Sequence, residues 1–281
     1  MRHGPLLWLS MACALFALPS PASAQNTGRV ALIIGNSSYP DANAPLPTTV
    51  NDARTLAEEF RQLKFDVDLQ LNVSKETMQR AIDAFLGKIK NGTDALFYFS
   101  GFGLQADRRN YLIPVNAQIW TEADVRRDCI SVDDLLAEMQ RRGAGIKIVI
   151  IDAARRNPFE RRFRASPAGL TPLGAPEGTL ALFSVAPGSV IRDSDSATSN
   201  SVLVTELVKE LRSPNQTAEQ EFNHARIGVS RASNNDIVPW VSSSLLEDFY
   251  FQLGQSAPAL ATPPPASPPP AHTSTSPREL Q

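Results

Sequence analysis

Cysteine and histidine are both scarce in this sequence. Of 281 residues, 2 are cysteines and 3 are histidines. Cys13 and His3 lie in the N-terminal segment and His272 lies in a proline-rich C-terminal segment, so the central region keeps only Cys129 and His224. One cysteine cannot form an internal disulfide, and this pair cannot supply the four ligands of a structural zinc site. We therefore predict a domain without a disulfide or a metal, and we assign no cofactor.

No charge of one sign dominates, and no apolar run is long. The formal net charge of -2 gives no indication of a nucleic acid or an anionic membrane as partner. Residues 6–18 are mostly apolar, but a membrane-spanning helix needs roughly 20 such residues. With a basic start and small residues at 22–24, this is the pattern of a signal peptide. We predict a signal peptide at residues 1–24, no membrane span after its cleavage, and an exported chain, periplasmic or extracellular.

The C-terminal end is nearly free of large apolar side chains. It holds much of the chain's 22 prolines and cannot bury enough surface to offset the entropy lost on ordering. We predict a short leader at 25–28, one domain at 29–253 and a disordered Pro/Ala/Ser-rich tail at 254–281.

Short apolar runs alternate with segments of helical periodicity in the central region. This alternation predicts an α/β fold, with a mostly parallel sheet covered by helices on both faces. The predicted strands are residues 30–35, 65–71, 94–100, 146–152, 179–186 and 237–241. The predicted helices are residues 53–63, 74–89, 131–139, 201–211 and 218–229, and a small hairpin is predicted at 103–114.

Ligands of open α/β sheets bind outside the carboxyl ends of the strands. Three such ends carry glycine or polar residues: 35–36, 100–103 and 152–155. In the second of them, Gly101 and Gly103 flank Phe102, and two glycines let a backbone turn and hold one side chain out at the end of a strand. A benzyl ring at such a position neither transfers a proton nor binds a metal.

Several ordered motifs resemble those of one enzyme family. They are ALIIGNSSY near the start, VNDA at 50–53, LFYFSGFG at 96–103, NYLIPV at 110–115, IIDAARRNPF at 150–159 and PWVSSSLLEDFYF at 239–251. In order and spacing they resemble the caspase-like cysteine peptidases, specifically bacterial members of the metacaspase or orthocaspase type. The resemblance implies a caspase-like three-layer α/β/α sandwich with a mostly parallel six-stranded sheet.

The resemblance also implies where catalysis would occur. In that family a Ser-Gly-His-Gly motif and an Asp-Ala-Cys motif supply a dyad, in which the imidazole accepts the thiol proton and the thiolate attacks the peptide carbonyl. The matching positions here are Phe102 and Ala154, beside the loop residues Ser100, Gly101, Gly103 and Arg155. No catalytic residue remains, so the sequence predicts a pseudopeptidase. In another interpretation, the Phe102 ring simply packs over the crevice and closes it.

Metacaspase-type members favour arginine or lysine before the cleaved bond, and the acidic residues of their specificity pocket match Asp52 and Asp152. Paired carboxylates suit a guanidinium group. In an interpretation of equal weight, Asp52 caps or orients its helix and Asp152 is a hydrogen-bonded carboxylate at a strand end. The arginine-rich residues 155–164 have three interpretations: they fill the acidic pocket from within the chain, attract an acidic partner, or form a solvated loop.

The leading hypothesis is an exported, inactive caspase-like domain that binds peptides or proteins with exposed arginine or lysine, or regulates an active caspase-like relative. The alternative is an active cysteine-type endopeptidase with an unrecognised nucleophile. Against it, Cys129 is expected to be a buried core residue, His224 a surface residue, and Ser100 lacks a base. A nucleotide-binding module is a third hypothesis, but the first strand end has one glycine and no glycine-rich cradle. No calcium ligand set is evident.

Overall fold

A computed structural model describes residues 28–40, 42, 46–161, 163, 168–191 and 199–253. The predicted signal peptide, most of the leader and the predicted tail lie outside these residues. The strands are β1 (Arg29–Gly35), β2 (Asp66–Leu71), β3 (Asp94–Ser100), β4 (Gly103–Ala106), β5 (Arg109–Leu112), β6 (Ile130–Ser131), β7 (Ile146–Asp152), β8 (Thr179–Phe183) and β9 (Trp240–Ser243). The helices are α1 (Thr49–Gln62), α2 (Lys75–Lys88), α3 (Glu122–Asp128), α4 (Val132–Arg141), α5 (Val202–Leu211) and α6 (Ala218–Ala232). Within the described ranges, no helix is both long and apolar enough to cross a bilayer.

The main sheet has six strands in the order β2-β1-β3-β7-β8-β9. All neighbouring strands are parallel except β8 and β9, which are antiparallel. The central strands β3 and β7 are almost wholly buried, as expected for parallel strands covered on both faces. The predicted α/β class and the mostly parallel six-stranded sheet are confirmed. The last strand was predicted at 237–241 but begins after Pro239, which has no N–H to donate to a ladder.

Two apolar layers hold the helices against this sheet. Helices α1, α5 and α6 contribute to the layer on one face, and α2 and α4 contribute to the layer on the other. The helix starts follow from the sequence, because serine side chains accept hydrogen bonds from the backbone N–H groups of the first turn. Ser74, Ser131 and Ser201 cap α2, α4 and α5 in this way.

A second, smaller sheet follows β3, with the strand order β4-β5-β6. The predicted hairpin corresponds to β4 and β5, which are joined at Asp107 and Arg108, both with positive φ. Strand β6 and helix α3 were not predicted. Together with the loop after β1, this part of the chain forms what we call the small-sheet cluster. Its members include Tyr39, Phe102, Leu104, Tyr111, Ile113 and Cys129.

Candidate functional site

Phe102 does not project from the rim of the sheet. Its side chain is only 7% exposed and packs in the small-sheet cluster, where the Tyr39 ring meets it edge-on with the ring centroids 4.8 Å apart. The expectation that the loop holds this side chain out is therefore wrong. Of the two interpretations, the one in which the ring packs against its neighbours agrees with this burial.

The two flanking glycines are required for space rather than for an unusual turn. Neither Gly101 nor Gly103 has a positive φ. A Cβ atom at Gly101 would overlap the Tyr39 hydroxyl oxygen and lie 2.8 Å from Phe99 Cζ, and one at Gly103 would lie 2.9 Å from Ala153 Cβ. These distances are shorter than van der Waals contact, so only glycine lets the loop lie this close to its neighbours.

Tyr39 fixes this loop and was not assigned a role from the sequence. Its hydroxyl donates a hydrogen bond to the Ile113 carbonyl oxygen at 2.9 Å and accepts one from the Phe102 N–H at 3.1 Å. Burial raises the pKa of Tyr39, so the phenol stays protonated and keeps both bonds. Its place at the end of the first family motif could have drawn attention to Tyr39. The sequence gives no indication of its contacts, however, because it lies in a loop without periodicity.

Ala154 lies just beyond the end of β7, beside the loop that carries Phe102. The Gly101 N–H donates to the Asp152 carbonyl oxygen at 3.2 Å, and the Gly103 N–H donates to that of Ala153 at 2.8 Å. The two strand ends are thus joined by backbone bonds. Ala154 is 2% exposed and packs in the layer that contains α2 and α4, whereas Phe102 packs in the small-sheet cluster. Neither side chain offers a nucleophile or a base.

The structure brings Ser100, Asp152 and Arg155 into one buried network. Asp152 Oδ2 accepts hydrogen bonds from Ser100 Oγ and from Arg155 Nη2, each at 2.9 Å. Arg155 Nη1 also donates to the Gly101 carbonyl oxygen at 2.9 Å and to the Asp152 carbonyl oxygen. Ser100 therefore donates to a carboxylate that is already ion-paired with Arg155, and an ion-paired carboxylate is a poor base for activating a serine.

Asp52 lies beside this network, on the first turn of α1. It is fully buried, and its Oδ1 accepts a hydrogen bond from the Ser201 N–H at 2.8 Å. Burial and, secondarily, the negative charge of Asp152 raise the pKa of Asp52 to about 7. The charge of Asp152 thus acts on the Asp52 carboxyl group. Their role as a substrate pocket stays a prediction, and neither carboxyl group is open to solvent.

Cys129 and His224 are not brought together. Cys129 ends α3 and is buried, and burial raises the pKa of its thiol, the opposite of activation. His224 lies on α6 with its side chain 52% exposed, and its Nδ1 lies 2.7 Å from Gln216 Oε1. The predictions of a buried cysteine and a surface histidine are confirmed. In the described part of the chain, no group of three His, Cys, Asp or Glu residues is placed to hold a metal ion.

Comparison with known proteins decides the family. The family model described as Caspase domain matches residues 28–250. The chain belongs to the caspase domain family. A 136-residue segment of this caspase domain protein is 31% identical to Mucosa-associated lymphoid tissue lymphoma translocation protein 1 of Homo sapiens, covering 47% of the chain and 16% of that protein. The Mus musculus homolog is 31% identical over 153 residues, covering 51% of the chain and 18% of the relative. The matched segments thus span less than a fifth of these relatives.

Proposed function

We propose that this caspase domain is an exported pseudopeptidase that acts by binding and not by cutting. The observation that carries the proposal is that buried carbon-only side chains, Phe102 and Ala154, occupy both positions at which the family motifs supply the dyad. Losing one member of a nucleophile pair removes most of the rate, and losing both leaves no group to form an acyl-enzyme. The signal-peptide pattern at residues 1–24 supports export.

Two classes of partner fit this function. The matched pair Asp52 and Asp152 supports binding of a basic peptide segment. Such a segment would reach the two carboxyl groups only if Arg155 moved away. An active caspase-like relative needs no such movement, because it can contact the outer surface of the domain. We therefore rank regulation of an active relative first and binding of a basic segment second.

The experiment is hydrolysis of fluorogenic peptides ending in arginine or lysine, with and without calcium. The wild type is compared with a Phe102→His, Ala154→Cys variant and with a triple variant that adds Arg155→Ala to uncover Asp152. We expect a silent wild type and cleavage by the triple variant. Hydrolysis by the wild type that survives Cys129→Ala and disappears in Asp152→Ala would overturn the proposal. In a second arm, the wild type is added to an active caspase-like peptidase, whose rate should change.

A further inference from the structure

Arg155 is an unusual arginine, because its charged end is almost entirely buried. Its side chain is 3% exposed, and its guanidinium contacts Asp152 Oδ2 and two backbone carbonyl oxygens. Arginine is rarely buried unless it is paired. The next residue, Arg156, shows the ordinary behaviour: its side chain is 82% exposed and pairs with Glu160, which is 45% exposed. The burial of Arg155 therefore reflects its partners and not the charge run in which it lies.

Arg155 contacts Asp152, which is one member of the matched acidic pair. Asp152 receives the guanidinium, whereas Asp52 receives a backbone N–H on Oδ1 and has no hydrogen-bond partner on Oδ2 among the described residues. Three further buried polar atoms near these strand ends make no hydrogen bond of normal length and angle within the described ranges, although Thr48 lies beside Asp52 and Tyr98 lies beside Ser100. They are Thr48 Oγ1, Tyr98 Oη and Ser184 Oγ.

These four atoms lie around one end of the sheet. Asp52 follows Thr48 by one helical turn, with the Asp52 N–H bonded to the Thr48 carbonyl oxygen at 2.8 Å. Tyr98 faces the same side of β3 as Ser100, because side chains alternate along a strand, and the Ser184 N–H donates to the Ile151 carbonyl oxygen beside Asp152. Buried polar atoms are seldom left unpaired. Together with Asp152 and Ser100, they make the buried carboxyl end of this sheet polar, and we call this polar region the chamber.

We propose that Arg155 is the resident cation of the Asp52–Asp152 chamber. The chain fills its own basic-side-chain pocket, so external arginine or lysine is excluded until this side chain leaves. The inference rests on the proposed function, because it concerns the same crevice. It also adds a requirement: a basic segment could bind only if its own charged group replaced the Arg155 guanidinium at Asp152.

The test is to vacate the chamber and refill it with a small guanidinium compound. Arg155→Ala is made in the full chain, and Arg156→Ala is the matched control, since it removes an exposed arginine one residue away. The probes are methylguanidinium and N-acetyl-arginine methylamide, with an equal concentration of sodium chloride as the ionic control. Thermal melting and isothermal titration calorimetry are the readouts.

We expect Arg155→Ala to lower the Tm by about 10 °C, since a buried carboxylate loses its partner. Millimolar methylguanidinium should recover part of this loss, while the wild type and Arg156→Ala should not respond. N-acetyl-arginine methylamide should bind Arg155→Ala at least about tenfold more tightly than the wild type, the value of one charge-assisted hydrogen bond. Adding Asp152→Asn should remove that gain.

Two results would overturn the proposal. One is binding of N-acetyl-arginine methylamide to the wild type that Asp152→Asn abolishes, which is decisive even if Arg155→Ala does not fold. The other is a folded variant that gains no binding; Arg155→Gln, which keeps a donor toward Gly101, serves if alanine prevents folding. The same samples are assayed for peptide hydrolysis. Hydrolysis by the wild type without probe binding refutes the proposed function alone, and probe binding by the wild type without hydrolysis refutes the occupied chamber alone.

Discussion

Asp52→Asn should make this domain more stable, and the gain should grow as the pH rises. The substitution keeps an oxygen to accept the Ser201 N–H but removes a buried negative charge beside Asp152. In the wild type, burial and then the charge of Asp152 raise the pKa of Asp52 from 3.8 to about 7. Because the folded state holds this proton more tightly than the unfolded state, stability is full at low pH and is lost as the pH rises through that range.

The magnitude follows from the size of the shift. Each pKa unit corresponds to about 1.4 kcal/mol, so ionising Asp52 costs at most about 4 kcal/mol above pH 7. At pH 5 most of that cost is absent, because the folded carboxyl group is still protonated. The advantage of Asp52→Asn over the wild type should therefore increase by about 2 to 3 kcal/mol between pH 5 and pH 8.

Urea unfolding followed by circular dichroism at both pH values measures this difference. Asp83→Asn is the control, since it makes the same chemical change at an exposed position on α2. For each variant, the change in the free energy of unfolding between pH 5 and pH 8 is compared with that of the wild type. This comparison removes any effect of the new amide group that does not depend on pH. An advantage that is equal at pH 5 and pH 8, or a variant less stable than the wild type at pH 8, would refute the reasoning.

Two further predictions concern other buried positions. Burial and then the nearby Glu210 raise the pKa of Glu221 from 4.5 to about 8, so the advantage of Glu221→Gln should grow by about 2 to 3 kcal/mol between pH 6 and pH 9. Urea unfolding at the two pH values measures this advantage, and an advantage that does not change with pH would contradict the prediction. Gly101→Ala should cost about 1 to 3 kcal/mol, because the new Cβ would overlap Tyr39. In contrast, Gly87→Ala should stabilise α2 by up to about 1 kcal/mol, since no atom lies within 4 Å of its added Cβ. Equal effects at the two glycines would exclude the steric explanation.

The main sheet was predictable because local signals and packing agree there. Strand β7 is an apolar run bounded by a glycine, and Ser74 caps α2 in the way its position predicts. Helix α3 and strand β6 have 7 and 2 residues, and β6 exists only because Tyr111 and Leu112 pair with it. No periodicity can reveal elements so short, since distant residues determine them.

The candidate site was predictable in its membership but not in its contacts. The ends of parallel strands meet at one edge, so the sequence could place Ser100 and Asp152 together. Burial of Phe102 and Arg155 depends on how neighbouring side chains pack in three dimensions. The sequence therefore left several interpretations open for each of these residues. The Tyr39 contacts could not be inferred, because they join a loop to two other segments far along the chain.

The inward packing of Phe102 also bears on how this lineage can change. A histidine arising at this position would put a polar ring among carbon atoms beside Tyr39 and weaken the domain. Without a cysteine in place of Ala154, that histidine would have no thiol to activate. On the proposed function, the first step toward a dyad therefore costs stability and adds no activity, so the packing of Phe102 disfavours that route while the surface of the domain is free to diverge.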